Sequence, residues 1–177
     1  MKKKLSSLMF ILVAGILAFS LSAYSPAPAV NQLNGVQVTR TPLAQAVNTQ
    51  LALSLQRENN WLMRENLHLT QANQAISKIQ NLIDKAQAAG YDVTALNSAL
   101  ATFTSEIATA QGTYSQAAAI LSTPAGFSGG QVTDAQVAHQ TLASARDQLQ
   151  QTHLTLVNAS LSLRTALLNW RVQNNIK

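Results

Sequence analysis

The chain has 177 residues, 47% of them hydrophobic but only 11% charged, and it contains no cysteine. That length suits one domain with enough apolar side chain to fill a core, and the composition excludes a disordered, collagen-like or disulfide-stapled protein. The formal net charge of +5 shrinks when Lys2, Lys3 and Lys4 are set aside: twelve basic residues become nine, against seven acidic ones, too even a balance for a nucleic-acid-binding surface.

Residues 1–22 open on those three lysines, run apolar from Leu8 to Phe19 and end on Ser20-Leu21-Ser22. This is the layout of a secretory signal peptide cut after Ser22. Its apolar run is short for a bilayer, which takes about 20 residues to cross. An uncleaved N-terminal membrane anchor is the alternative, and membrane contact is confined to this segment. The protein is therefore expected to be exported, periplasmic or extracellular. Residues 23–40, with two prolines, a glycine and no sustained periodicity, read as a flexible lead-in.

From residue 41 to 177 the pattern predicts a helical bundle with helices at about 42–89, 93–122 and 134–173. Thr41 and Pro42 supply an N-cap and a first helical residue, and Gly90 a left-handed stop. In the first helix Leu55, Leu62, Leu69, Ile76 and Ile83 recur every seven residues, with Ala72, Ile79 and Ala86 three positions later. The second helix, capped by Asp92, repeats Val93, Leu100, Ile107, Tyr114 and Leu121, joined by Leu96, Phe103, Ala110 and Ala117. The loop of residues 122–132 follows, its GFSGG stretch a flexible corner. Thr133 with Gln136 forms a capping box and Val132 with Val137 a hydrophobic staple for the third helix. That helix repeats Leu142, Leu149, Leu156, Leu163 and Trp170, with Ala138, Ala145, Thr152, Ala159 and Ala166 between. The fold class is all-α, an antiparallel, coiled-coil-like three-helix bundle of long helices following the signal peptide. Unequal helix lengths predict that residues 42 to about 58 project at one end, and the last ten or so residues of the third helix project past Gly90 at the other.

Two acidic residues break the first seam. Glu58 and Glu65 occupy positions where alanine or isoleucine belongs, within the repeated Arg-Glu-Asn stretch of residues 57–66. Neither has a cation three or four residues away on its own helix, so their partners lie on water, a loop, another helix or another chain. Trp61 is placed to stack on Arg57 and Arg64. With Trp170 and Arg171 at the basic C-terminal end, the residues Arg57, Glu58, Trp61, Arg64 and Glu65 form the candidate interface. Leucine at both acidic positions is expected to raise stability and broaden the oligomer distribution. Glu65 and His68 have the Glu-x-x-His spacing of dinuclear metal bundles, but such a site needs a second copy of the motif and two further glutamates; there is no second copy, and besides Glu65 the chain has only Glu58 and Glu106. A mixed site of His68 with His139 is geometrically conceivable; solvated histidines are the expectation, and no metal or cofactor is assigned. The sequence shows no nucleophile elbow and no phosphate loop, and no acid is read as positioned to orient a histidine, so no catalytic residue is assigned and an enzyme is not expected.

Leu69-Thr70-Gln71-Ala72-Asn73 resembles the LTxxQ motif that periplasmic stress chaperones and metal-responsive adaptors repeat on their helices, with Asn73 in the glutamine position and a single copy. The resemblance implies a chaperone-like or metal-responsive stress protein and transfers no site residues. As a whole the chain is similar to small exported all-helical bacterial proteins. The primary expectation is a non-enzymatic structural or protein-interaction module of the bacterial envelope or exterior, acting through a protein partner or self-association.

Overall fold

The computed structural model describes residues 40–176, with side chains from Leu43 onward; the segments expected to be a signal peptide (1–22) and, but for Arg40, a lead-in (23–40) lie outside the described residues. Three helices account for most of the described chain: α1 (Arg40–Ala88), α2 (Thr94–Ser122) and α3 (Ala135–Gln173). All three pack against one another, most extensively α2 against α3. Among the described helices none is long and apolar enough to cross a membrane.

The helix ends follow from backbone chemistry. α1 begins at Arg40, so Thr41 lies inside it and Pro42 is its third residue. Proline is tolerated there because the first four N–H groups of a helix have no internal acceptor. At the other end Gly90 adopts φ +82°. Its N–H donates to Gln87 O, and Tyr91 N–H donates to Ala86 O, closing a Schellman stop. Asn175, at φ 52°, ends α3 in the same way through Asn175 N to Val172 O and Ile176 N to Arg171 O.

Both remaining caps differ from expectation by one residue. Asp92 accepts from Thr94 N and Thr94 Oγ1, but Val93 holds the N-cap position of α2. At α3 the cap is Asp134, whose Oδ1 accepts from Gln136 N and Val137 N, each at 3.0 Å. The N–H groups of Thr133 and Asp134 both donate to Gly126 O, at 2.8 and 3.3 Å, which fixes the entry to the helix. An ionised carboxylate also complements the helix N-terminus better than a hydroxyl does.

The predicted flexible corner is instead a two-stranded hairpin. β1 (Phe127–Ser128) pairs antiparallel with β2 (Gln131–Val132), Phe127 opposite Val132. Gly129 and Gly130 at the turn have φ 55° and 78°, the double positive φ of a type I′ turn. Gly126 lies against the first turn of α3, where a Cβ would come within 2.3 Å of Ala138 N.

This hairpin corrects the expected overhangs. It carries the chain beyond the end of α2 before α3 starts, so the surplus length of α3 lies alongside α1. Leu55, Leu121, Leu142, Ala145 and Leu149 are buried together there, with Leu51 and Phe127 packed against them. The projecting part of α1 shrinks to its first turns, where residues 43–50 are exposed. The far end of α3 does not project either. Trp170 is 2% exposed; its Nε1 donates to Asp92 O at 2.6 Å, and its ring meets Tyr91 edge-on at 5.9 Å.

The core has two apolar compartments. The larger runs from Leu69 to Ala86 on α1, Val93 to Ala110 on α2 and Leu156 to Trp170 on α3. The smaller is the cluster around Leu55, Leu121 and Leu149. Between them lie Glu65 on α1, Thr113 on α2, and Thr152 and His153 on α3. The Thr113 and Thr152 hydroxyls meet at 2.8 Å, and His153 meets Glu65. From Glu58 to Glu65 along α1 the partners on α3 advance from Arg146 to His153. From Thr113 back to Asp92 they advance from Thr152 to Trp170.

Gly126→Ala should lower stability by about 2–4 kcal/mol, combining left-handed strain with a backbone clash. Gly90→Ala, at a similar φ but in open space, should cost only about 1–2 kcal/mol. Urea unfolding midpoints of the two variants check the ranking.

Candidate functional site

α1 carries Glu65 into the polar layer because its seam position faces the other two helices. The carboxylate is only 1% exposed and is held from three sides. Trp61 Nε1, one turn earlier, donates to Oε1 at 2.7 Å. His153 Nδ1, from α3, lies 3.1 Å from the same oxygen. His68 Nδ1, one turn later on α1, lies 3.3 Å from Oε2. The two imidazole rings are 6.2 Å apart between centroids and tilted by 45°. Each keeps about a quarter of its side chain in solvent, so the cluster has a buried carboxylate base and an accessible imidazole rim.

Burial works against the charged form of Glu65. The hydrogen bonds from His153 and Trp61, with the positive charge of His153 and His68, outweigh it and hold the carboxyl below its usual range. The same bond to Glu65 raises the pKa of His153, against the opposing effects of burial and Arg64. Both shifts favour an ionised pair.

One heptad earlier, Glu58 is also buried but less well held. Its Oε1 lies 3.5 Å from Arg146 Nε, and its Oε2 has no hydrogen-bond partner among the described residues. Burial raises its pKa, with Arg146 and Arg57 only partly offsetting the effect.

The candidate interface residues therefore divide. Glu58, Glu65 and Trp170 are buried in the chain's own packing. Trp61 and Arg171 are half-buried; Trp61 donates to Glu65 in place of a stack on the arginines, and Arg171 Nε donates to Ile176 O. Arg57, which donates to Ser54 Oγ, and Arg64 are exposed. The partner of His68 across the helices is His153, not His139, which lies exposed on α3. In the sequence His153 stands out only beside His139, too far along the helix to share a metal; that Arg146 and His153 answer Glu58 and Glu65 was missed, although they repeat the same spacing of seven.

Comparison with protein-family models, with curated proteins and with solved structures yields no match.

The two acidic positions should respond to leucine with opposite sign. Glu58→Leu removes a poorly paired buried carboxylate and should gain about 1 kcal/mol, whereas Glu65→Leu strands Trp61 Nε1 and His153 and should lose about 1–3 kcal/mol. Denaturant unfolding of the two single variants separates the effects.

The ion pair also sets a pH window. A lowered carboxyl pKa contributes stability above its ordinary 4.5, lost as pH falls through the folded value; a raised imidazole pKa contributes below its ordinary 6.5, lost as pH rises through the folded value. The melting-temperature difference between wild type and His153→Gln should therefore peak between those two values and narrow toward alkaline pH.

Proposed function

We propose that the protein is an exported, non-enzymatic module of the bacterial envelope or exterior, an up-down-up antiparallel bundle that works by pairing with a second copy of itself through α3. The layout of residues 1–22 supports export. The opposed order of contacts along α2 and α3, and their shared order along α1 and α3, support the up-down-up arrangement.

One observation carries the interaction reading. Leu154, Leu161 and Leu168 on α3 are 51%, 54% and 37% exposed and stand seven residues apart, with Val172 one turn beyond the last. An α-helix that keeps a leucine every seven residues on its outer face presents a coiled-coil seam. The stripe is about 21 Å long between its first and last leucine. A second α3 offers the same stripe, so the surface is complementary to itself without any further partner. Burying a fully exposed leucine is worth about 1.5–3 kcal/mol, so three half-exposed leucines on each copy supply a useful share of a dimer's free energy.

Sedimentation equilibrium on the chain lacking residues 1–22 is expected to show a reversible dimer. Combined Leu154→Gln, Leu161→Gln and Leu168→Gln should raise its dissociation constant at least tenfold while far-UV circular dichroism stays unchanged. A wild-type chain that remains monomeric into the high micromolar range would refute the reading.

A further inference from the structure

We infer that Glu65, His68 and His153 form a binding site for one divalent transition-metal ion of the zinc and copper class. The inference is independent of self-association. It rests on the ligand types, their spacing and the way the cluster is supported.

One carboxylate oxygen and two imidazole nitrogens converge from two helices, with all three ligand atoms within 4.8 Å of one another. Two imidazoles and a carboxylate are the donor set that zinc and copper(II) accept, whereas calcium and magnesium take all-oxygen sites. The spacing also fits. Metal–ligand bonds of about 2.0–2.1 Å in a tetrahedron separate neighbouring ligand atoms by roughly 3.3 Å. His153 Nδ1 stands 3.1 Å from Glu65 Oε1 and His68 Nδ1 stands 3.3 Å from Oε2, so each imidazole is at ligand spacing from its own oxygen of the one carboxylate. A metal ion seated between the two imidazoles and the carboxylate would replace the imidazole–carboxylate hydrogen bonds.

The surroundings supply two further requirements. Trp61 Nε1 donates to Glu65 Oε1 and fixes the carboxylate from behind, the outer-shell support that ligating carboxylates require. The imidazole rim is partly open to solvent, which provides an entry path and leaves a fourth position for water or an outside ligand. The ligands are split across the chain, two from α1 and one from α3. A bound ion would therefore tie these helices together at the polar layer and stabilise the fold on binding.

The test is isothermal titration calorimetry of the untagged chain with zinc chloride and, separately, copper chloride at pH 7.5, together with thermal melts. The expected result is one ion per chain and a rise in melting temperature. His68→Gln and His153→Gln should each weaken binding at least tenfold, while His139→Gln should leave it unchanged. Far-UV circular dichroism establishes that each variant is folded; if His153→Gln unfolds, His68→Gln alone carries the comparison. No binding of either ion at millimolar concentration, or binding that survives both cluster substitutions, or binding that His139→Gln abolishes, would overturn the inference.

Discussion

A carboxylate that is almost entirely removed from water has to be compensated on the spot, and the middle of this bundle is organised around that requirement. An isolated charge in a protein interior is too costly to persist. Glu65 therefore draws an indole from one turn before it, an imidazole from one turn after it and a second imidazole from α3. Because His153 is contributed by another helix, satisfying Glu65 also sets how α1 and α3 align. An apolar seam tolerates a slip of one heptad with little penalty, since leucine replaces leucine. A buried carboxylate is more selective: a slip of one heptad would exchange His153 for Arg146 or Ser160 and break the Glu65–His153 pair.

Glu58 shows the same device less completely made. It repeats the position one heptad away and finds Arg146, one heptad from His153, yet one of its oxygens has no hydrogen bond. The two acidic residues thus define the same register twice, once at low cost and once at higher cost. Their difference lies in the neighbours: Trp61 and His68 flank Glu65 on its own helix.

Much of the helical pattern was legible as heptads. Nearly every residue assigned to the α2 and α3 seams is buried, with Tyr114 and Ala166 partly so. Leu82, Ser160 and Leu167 are also buried, because a bundle helix hides a face wider than two positions in seven. The hairpin was missed because two-residue strands are too short to show alternation, although Gly129-Gly130 is the dipeptide that a type I′ turn favours. That omission propagated. A loop taken to add no height made Trp170 overhang, whereas the hairpin displaces α3 so that Trp170 reaches the Gly90 turn. The partners of Glu65 were hidden for a different reason: His153 is 88 residues away in sequence. Only the repeated spacing of seven between Arg146 and His153 hinted that they answer the two glutamates.

The division of the core into two apolar compartments has a consequence for how the molecule breathes. Apolar packing is cooperative within each compartment, but the layer between them consists of side chains that water can also satisfy. The smaller compartment, fastened by the hairpin and the Asp134 cap, is held by far fewer buried residues than the one that ends at Trp170. The bundle therefore has a built-in fault line. By the number of buried residues holding it, the hairpin end is the one expected to open first in local unfolding, with the Glu65 layer as the boundary between the two compartments.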